Sequence, residues 1–354
     1  MTQPESGADA PKRPRGRIGL KRLVGYPVAF LLLCGVANML GLVDRLFYVP
    51  DRRDYGKPDP LELPYESVAF TSGDGTTLAG WLFASPGRRK GTVIHVHGNA
   101  ANISNHFRAI AFLPTAEYQV LTFDYRGYGE SGGSPSRSGC LADVHAAIDF
   151  VKGRTDAAPD RIALFGQSLG AAFAIVAAAE RPEVKAVVAE ASFTSHRAIA
   201  RAVLRRHPVT FPFSWFLPTL TLSGAYAPID YIDRLAPRPL LLVHGKADPL
   251  IPFQMSEELL ARAKEPKRLH AIADGGHLEI PDPIVERAYR DAIIRFLDEA
   301  LGPPPVSPRL PPTPRPGPAP APNPPAPDVT PPPSIRAPST PHPASEPPPP
   351  LPGQ

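Results

Sequence analysis

Between residues 66 and 302, short apolar runs alternate with longer stretches whose apolar positions recur at helical spacing. Ser67 to Thr71 reads as a strand, Gly73-Asp74-Gly75 as a hairpin turn, and Leu78 to Ala84 as the partner strand. Further strands are predicted at Thr92–Val96, Gln119–Tyr125, Ile162–Phe165, Val184–Ala189, Pro239–Val243 and Arg268–Ile272. Helices are predicted between them: one to about Leu113, then Leu141–Lys152, an Ala-rich run to Glu180, Met255–Ala263 and Ile284–Leu297. Several of these strands are continuously apolar, as expected for a sheet covered on both faces. The alternation predicts an α/β fold with a mostly parallel central sheet, helices on both faces, and active residues at the strand C-termini.

Four segments depart from this rhythm. Ser192 to about Leu235 is rich in aromatics and prolines, and it carries Arg197, Arg201, Arg205 and Arg206. An insertion at that edge of the sheet is where a lid would sit. Residues 44–65 read as an irregular connector. Residues 303–354 hold 25 of the 49 prolines and are expected to form a disordered, Pro-rich tail, a spacer or a ligand for a Pro-recognising partner. Leu23 to Val43 contains no charged residue over 21 positions, the length of a bilayer-spanning helix.

Charge changes the picture only at the N-terminus. Residues 1–22 carry six Lys or Arg against Glu5 and Asp9, a net +4 that equals the charge of the whole chain. The remainder is neutral, so no basic face points to nucleic acid. A basic flank before an apolar span predicts an uncleaved, single-pass anchor with a cytoplasmic N-terminus and the folded domain on the extracytoplasmic side. The competing expectations are cleavage after Ala37, or lipidation at Cys34, which Leu33 disfavours. With only Cys34 and Cys140 present, neither a disulfide nor a metal is expected.

The chemistry concentrates at Gly166-Gln167-Ser168-Leu169-Gly170, which fits the Gly-x-Ser-x-Gly turn that lifts a serine hydroxyl above a strand-to-helix junction. A serine hydroxyl needs a base, and the base needs an orienting partner. In this type of turn the partners follow in the order acid, then histidine. Asp248 and His277 each follow a predicted strand and a turn, so Ser168 is assigned as nucleophile, Asp248 as orienter and His277 as general acid/base. His244, His270, Asp274, Asp230 and Asp233 are weaker candidates. The developing oxyanion needs two N–H donors, expected from Leu169 and Asn99. His97 reads as a brace for the Asn99 loop, and His95 as core.

Five motifs in order carry a resemblance: His97-Gly98-Asn99-Ala100, Asp124-Tyr125-Arg126-Gly127-Tyr128-Gly129, Gly166 to Gly170, His244-Gly245-Lys246-Ala247-Asp248 and Gly275-Gly276-His277. Over about residues 45–300 the chain resembles the α/β-hydrolase superfamily, and within it the membrane-anchored serine-aminopeptidase-like and abhydrolase-domain group. The resemblance implies esterase-type or related acyl hydrolysis without a cofactor. The expected anchor and the apolar, cationic insertion add a small-molecule acyl or lipid substrate with an anionic part. Ala171 stands where relatives often carry another Gly. Two other functions compete: a serine aminopeptidase, whose cap would carry acidic residues, and a non-catalytic, membrane-tethered interaction protein working through its tail.

Overall fold

The computed structural model describes residues 47–58, 63–85, 87, 89–280 and 282–303. The predicted span Leu23–Val43 and the Pro-rich tail beyond Pro303 lie outside them. Among the described residues no helix is long and apolar enough to cross a membrane.

Eight strands form one sheet: β1 (Tyr65–Thr71), β2 (Thr77–Phe83), β3 (Gly91–Val96), β4 (Tyr118–Phe123), β5 (Ile162–Gln167), β6 (Val184–Glu190), β7 (Leu240–Gly245) and β8 (Lys267–Ile272). Their spatial order is β1-β2-β4-β3-β5-β6-β7-β8. Only β1/β2 and β2/β4 are antiparallel; every later pair is parallel. The helices are α1 (Ile103–His106), α2 (Phe112–Thr115), α3 (Arg137–Gly153), α4 (Leu169–Glu180), α5 (His196–Arg205), α6 (Leu217–Thr221), α7 (Gln254–Arg262) and α8 (Pro283–Leu301).

Side-chain alternation along the central strands divides the core in two. Ile94 and Val96 of β3, Leu164 of β5 and Leu242 of β7 pack under α3, α4 and α7. Val93, Phe165 and Val243 face the opposite way, against Phe107, Leu113 and the α8 residues Tyr289, Ile293 and Phe296. Both faces of the sheet are therefore buried, which is why these strands are apolar throughout.

The predicted helix running to Leu113 is not one helix. Asn102 caps a separate first turn by accepting from Ser104 N at 2.9 Å, and the chain leaves helical geometry at Ile110 (φ −113°, ψ 0°). Pro114 has no N–H to extend a helix begun at Ile103, and it sits instead within the first turn of α2.

One buried polar chain crosses the sheet just below its C-terminal edge. Burial drives the His95 pKa down to about 3, so the ring is neutral. Thr122 donates to its Nδ1 at 2.9 Å, and its Nε2–H donates to Gln167 Oε1 at 3.1 Å. Gln167 then donates to Glu190 Oε2 at 2.7 Å, which also accepts from the Tyr289 hydroxyl at 3.0 Å. Four neighbouring strands and α8 are thereby tied together in one register. Such groups are expensive to bury singly and stabilising only when all are satisfied.

The β5–α4 junction leaves no space for added side-chain atoms. A methyl group on Gly170 would overlap the Val96 carbonyl oxygen, and one on Gly166 would lie 2.6 Å from Ala171 Cα. Gly170→Ala is therefore expected to cost at least ~1–3 kcal/mol, since backbone on both sides must shift. Thermal unfolding should show a lowered Tm. Glu190→Leu, which leaves the Gln167 Nε2–H and the Tyr289 hydroxyl without their acceptor, should destabilise by about 1–3 kcal/mol in the same assay.

Candidate active site

Ser168 joins β5 to α4 with φ 53° and ψ −113°, a backbone conformation that costs an L-residue energy and is held by its surroundings. Its N–H donates to Glu190 O at 2.8 Å, and the Ser168 carbonyl accepts from Ala171 and Ala172. The residue is 7% exposed, and its hydroxyl has no hydrogen-bond partner among the described residues. Three further non-glycine residues with positive φ border the same strand ends: Ala101 (58°), Ala191 (50°) and Leu278 (63°). Strain of this kind collects where backbone is forced into functional shapes.

Asp248 and His277 meet, although 29 positions separate them. His277 Nδ1 lies 2.8 Å from Asp248 Oδ2. Their loops are joined by a close approach in which a Cβ on Gly245 would overlap the Gly275 carbonyl, and Ala247 N donates to Gly275 O at 3.0 Å. The Asp248 carboxylate is fully buried and saturated with donors. Its Oδ1 accepts from Leu250 N and Ile251 N at 2.7 and 2.8 Å, and its Oδ2 accepts from His277 and His244. Burial pushes this carboxyl up, but the hydrogen bonds from His244, His277 and the Ile251 N–H outweigh it and hold it well below the usual carboxylate range. An acceptor-only carboxylate fixes the His277 tautomer: Nδ1 carries the proton and Nε2 keeps its lone pair.

His244, expected only as a buried residue, grips the acid. Its Nε2 lies 3.1 Å from both Asp248 Oδ2 and Ile251 O, so it donates there, and Nδ1 accepts from the Ser256 hydroxyl at 2.7 Å. The other candidates lie elsewhere. His270 is half-buried in β8, Asp274 and Asp230 are exposed, and Asp233 pairs with Arg262 at 3.2 Å.

The loop after β3 lies against Ser168: a Cβ on Gly98 would sit 3.8 Å from Ser168 Cβ. The backbone N–H groups of Asn99 and Leu169 have no acceptor among the described residues, and for Leu169 this follows from its place at the first position of α4. The Asn99 side chain is occupied. Its Oδ1 accepts from Val49 N at 3.1 Å and Tyr128 OH at 2.8 Å, and its Nδ2 donates to Phe47 O at 2.7 Å. Any oxyanion donor at Asn99 is therefore its main chain.

The Asp124-to-Gly129 motif braces this loop. Tyr125 OH donates to His97 O at 2.8 Å, and Asp124 Oδ1 accepts from Ile103 N at 2.9 Å. Arg126 clamps the buried Asp143 at 2.7 Å and Asp74 at 2.6 Å, tying the loop to α3 and to the β1–β2 turn. His97 is buried with Nδ1–H donating to Gly98 O at 2.7 Å, a bracing role. Its Nε2 faces Asp124 Oδ1 at 3.6 Å. Burial pushes the imidazole pKa well down and the Asp124 pKa up to about 7, so the facing groups are held towards neutrality.

The connector contributes more than its composition suggested. Asn102 Nδ2 donates to Asp51 O and Arg53 O, Tyr55 N donates to Ser104 Oγ, and Gly129 N donates to Asp51 O. Residues 47–55 are thus a strap laced onto the loops beside Ser168. Nothing in their local pattern announces this, because every bond reaches a partner about fifty residues or more away.

A strained serine between a parallel strand and a helix, with an aspartate–histidine pair on the later strand ends, defines an α/β hydrolase, and the chain belongs to that superfamily. Residues 87–234 match the family described as serine aminopeptidase, S33. The chain is 40% identical over 287 residues to the protein YfhR of Escherichia coli K12, covering 78% of this chain and 96% of that one. It is 32% identical to the α/β-hydrolase domain-containing protein WAV2 of Arabidopsis thaliana over 67% of this chain and 81% of that one. Among solved structures, an esterase of Pyrococcus furiosus superposes with a TM-score of 0.60 at 25% identity, over 72% of this chain and all of the other.

Asp124 generates a pH prediction. Its folded pKa lies above its ordinary value, so between about 4 and 7 the folded chain holds a proton that the unfolded chain has released. That contribution strengthens folding as pH falls from 8 to 5, by as much as ~1.4 kcal/mol per pH unit. Denaturant unfolding of Asp124→Asn should lack this gain relative to wild type. Equal pH slopes would refute the assignment.

Proposed function

We propose that the chain is a serine hydrolase that cleaves carboxylic ester or thioester bonds through an acyl-enzyme on Ser168. The supporting observation is the Asp248–His277 hydrogen bond, which leaves the His277 Nε2 lone pair free to act as base. Ser168 Oγ attacks the acyl carbonyl as its proton passes to His277 Nε2, and the N–H groups of Asn99 and Leu169 receive the oxyanion. His277 returns the proton to the leaving alcohol or thiol as the carbonyl reforms. It then deprotonates a water that attacks the acyl-enzyme, releasing the acid and Ser168.

We place this domain beside a membrane, tethered by Leu23–Val43, with its N-terminus cytoplasmic and the catalytic residues on the extracytoplasmic side. A lipid or acyl-chain substrate with an anionic part suits that location and the cationic, aromatic insertion. The family match favours a second reading, an aminopeptidase. Against it, residues 191–229 contain no Asp or Glu to hold a peptide amine.

The deciding experiment is fluorophosphonate labelling of isolated membranes together with turnover of short p-nitrophenyl esters and aminoacyl anilides. Wild type should label and prefer the esters. Ser168→Ala should not label and should lose about 10³-fold or more in kcat, and Asp248→Asn about 10⁴-fold. Full ester turnover by Ser168→Ala would remove Ser168 from the mechanism. A preference for anilides would favour the peptidase, and absence of labelling the non-catalytic reading.

A further inference from the structure

The insertion between β6 and β7 carries a surface that the hydrolytic chemistry does not use. After α5 the chain turns through Val203, Val209, Phe211, Phe213 and Trp215, exposed by 44, 70, 58, 46 and 71%. Every strongly exposed aromatic ring among the described residues belongs to this stretch. Isolated exposed apolar residues need no explanation, but a contiguous aromatic group does.

The tip is held open by its own bonds. Ser214 is buried and its hydroxyl donates to Phe211 O at 2.7 Å, while Arg201 Nε donates to Ser214 O at 3.3 Å. Thr210 Oγ1 donates to Leu204 O at 2.7 Å, and Phe216 packs edge-on against Phe213 and Trp215. The rings are therefore presented outward on a built turn.

The charge along residues 191–229 has one sign. Residues 191–229 contain Arg197, Arg201, Arg205 and Arg206 and no acidic residue. Among the described residues none of these four arginines forms an ion pair with a carboxylate. Arg205 and Arg206 are exposed at the C-terminal end of α5, and Arg206 also donates to the Leu250 carbonyl. A second copy docking symmetrically here would oppose like charges, which is costly. Amphipathic rings on a segment whose arginines meet no carboxylate suit an anionic lipid surface, where the rings enter the headgroup region and the guanidinium groups meet phosphate.

The chain's own entry point agrees. Phe47 packs on Phe193 and His196, with ring centres 6.3 and 5.0 Å apart, at the root of the same insertion. Only residues 44–46 separate it from Val43, so Phe47 lies within about 14 Å of the end of the uncharged run. The ten residues of α5 span about 15 Å from there towards the tip. We propose that residues 203–215 dock on anionic phospholipid at the surface of the bilayer that holds the anchor. This placement rests on the anchor reading; the chemistry of the tip does not.

The test uses full-length Trp81→Phe protein, which leaves Trp215 as the single tryptophan, in nanodiscs with about 30% phosphatidylglycerol and brominated acyl chains. Trp215 emission should shift to the blue and fall about twofold relative to unbrominated discs. Arg205→Glu with Arg206→Glu, or purely zwitterionic discs, should abolish more than about half of that quenching. Emission unchanged by bromine, with acrylamide access as high as in detergent, overturns the proposal. Acrylamide protection that instead follows protein concentration in detergent overturns it in favour of a second copy. Alkaline carbonate extraction tests the anchor separately: if the chain is released, the same quenching on added brominated vesicles still decides whether the tip binds lipid.

Discussion

The approach of α4 to the ends of β3 and β5 governs this structure. With no room for a methyl group at Gly166 or Gly170, the helix starts directly beneath the sheet edge, and Ser168 must take up a left-handed backbone to make the turn. The same contact sets the Gly98–Asn99 loop beside the Ser168 side chain and leaves the Leu169 N–H without an intrahelical acceptor. One steric fact thus positions Ser168 and both candidate oxyanion donors. Ala171 fits because its methyl group points into the buried core cluster while its backbone faces Gly166.

Around that junction the protein spends its buried polarity on orientation. Each oxygen of Asp248 accepts two N–H groups, so the carboxylate can neither rotate nor take up a proton easily. The chain from Thr122 through His95, Gln167 and Glu190 to Tyr289 serves the layer below, and the Glu190 main chain holds the Ser168 N–H in turn. In a low-dielectric interior such bonds are strong and their absence is costly, so the strand ends are held in fixed register.

What could be read from the sequence follows the range of the interactions. The strands, the later helices and the Ser168 turn depend on local periodicity and local sterics, and the alternation of elements led directly to the observed α/β architecture. Asp248 and His277 were legible because their order and their positions after strands are set by topology. The single helix expected up to Leu113 does not form, because Pro114 and the Asn102 cap outweigh apolar spacing. Three roles were invisible for another reason. The link of Gln167 to Glu190 and the lacing of residues 47–55 join partners far apart in the chain, and the grip of His244 on Asp248, though only four positions long, depends on how the loop after β7 folds. Gln167 occupies a position that the serine motif leaves unspecified, so nothing in the motif marks it.

The strap has a practical consequence for anyone handling this chain. A version trimmed to the first strand would remove the Phe47, Val49, Asp51, Arg53 and Tyr55 backbone partners of Asn99, Asn102 and Ser104, leaving polar groups unpaired on the loops beside the serine. Any fusion to this domain has to be joined upstream of Phe47, since the residues from there to Tyr55 are hydrogen-bonded into the folded unit rather than leading up to it.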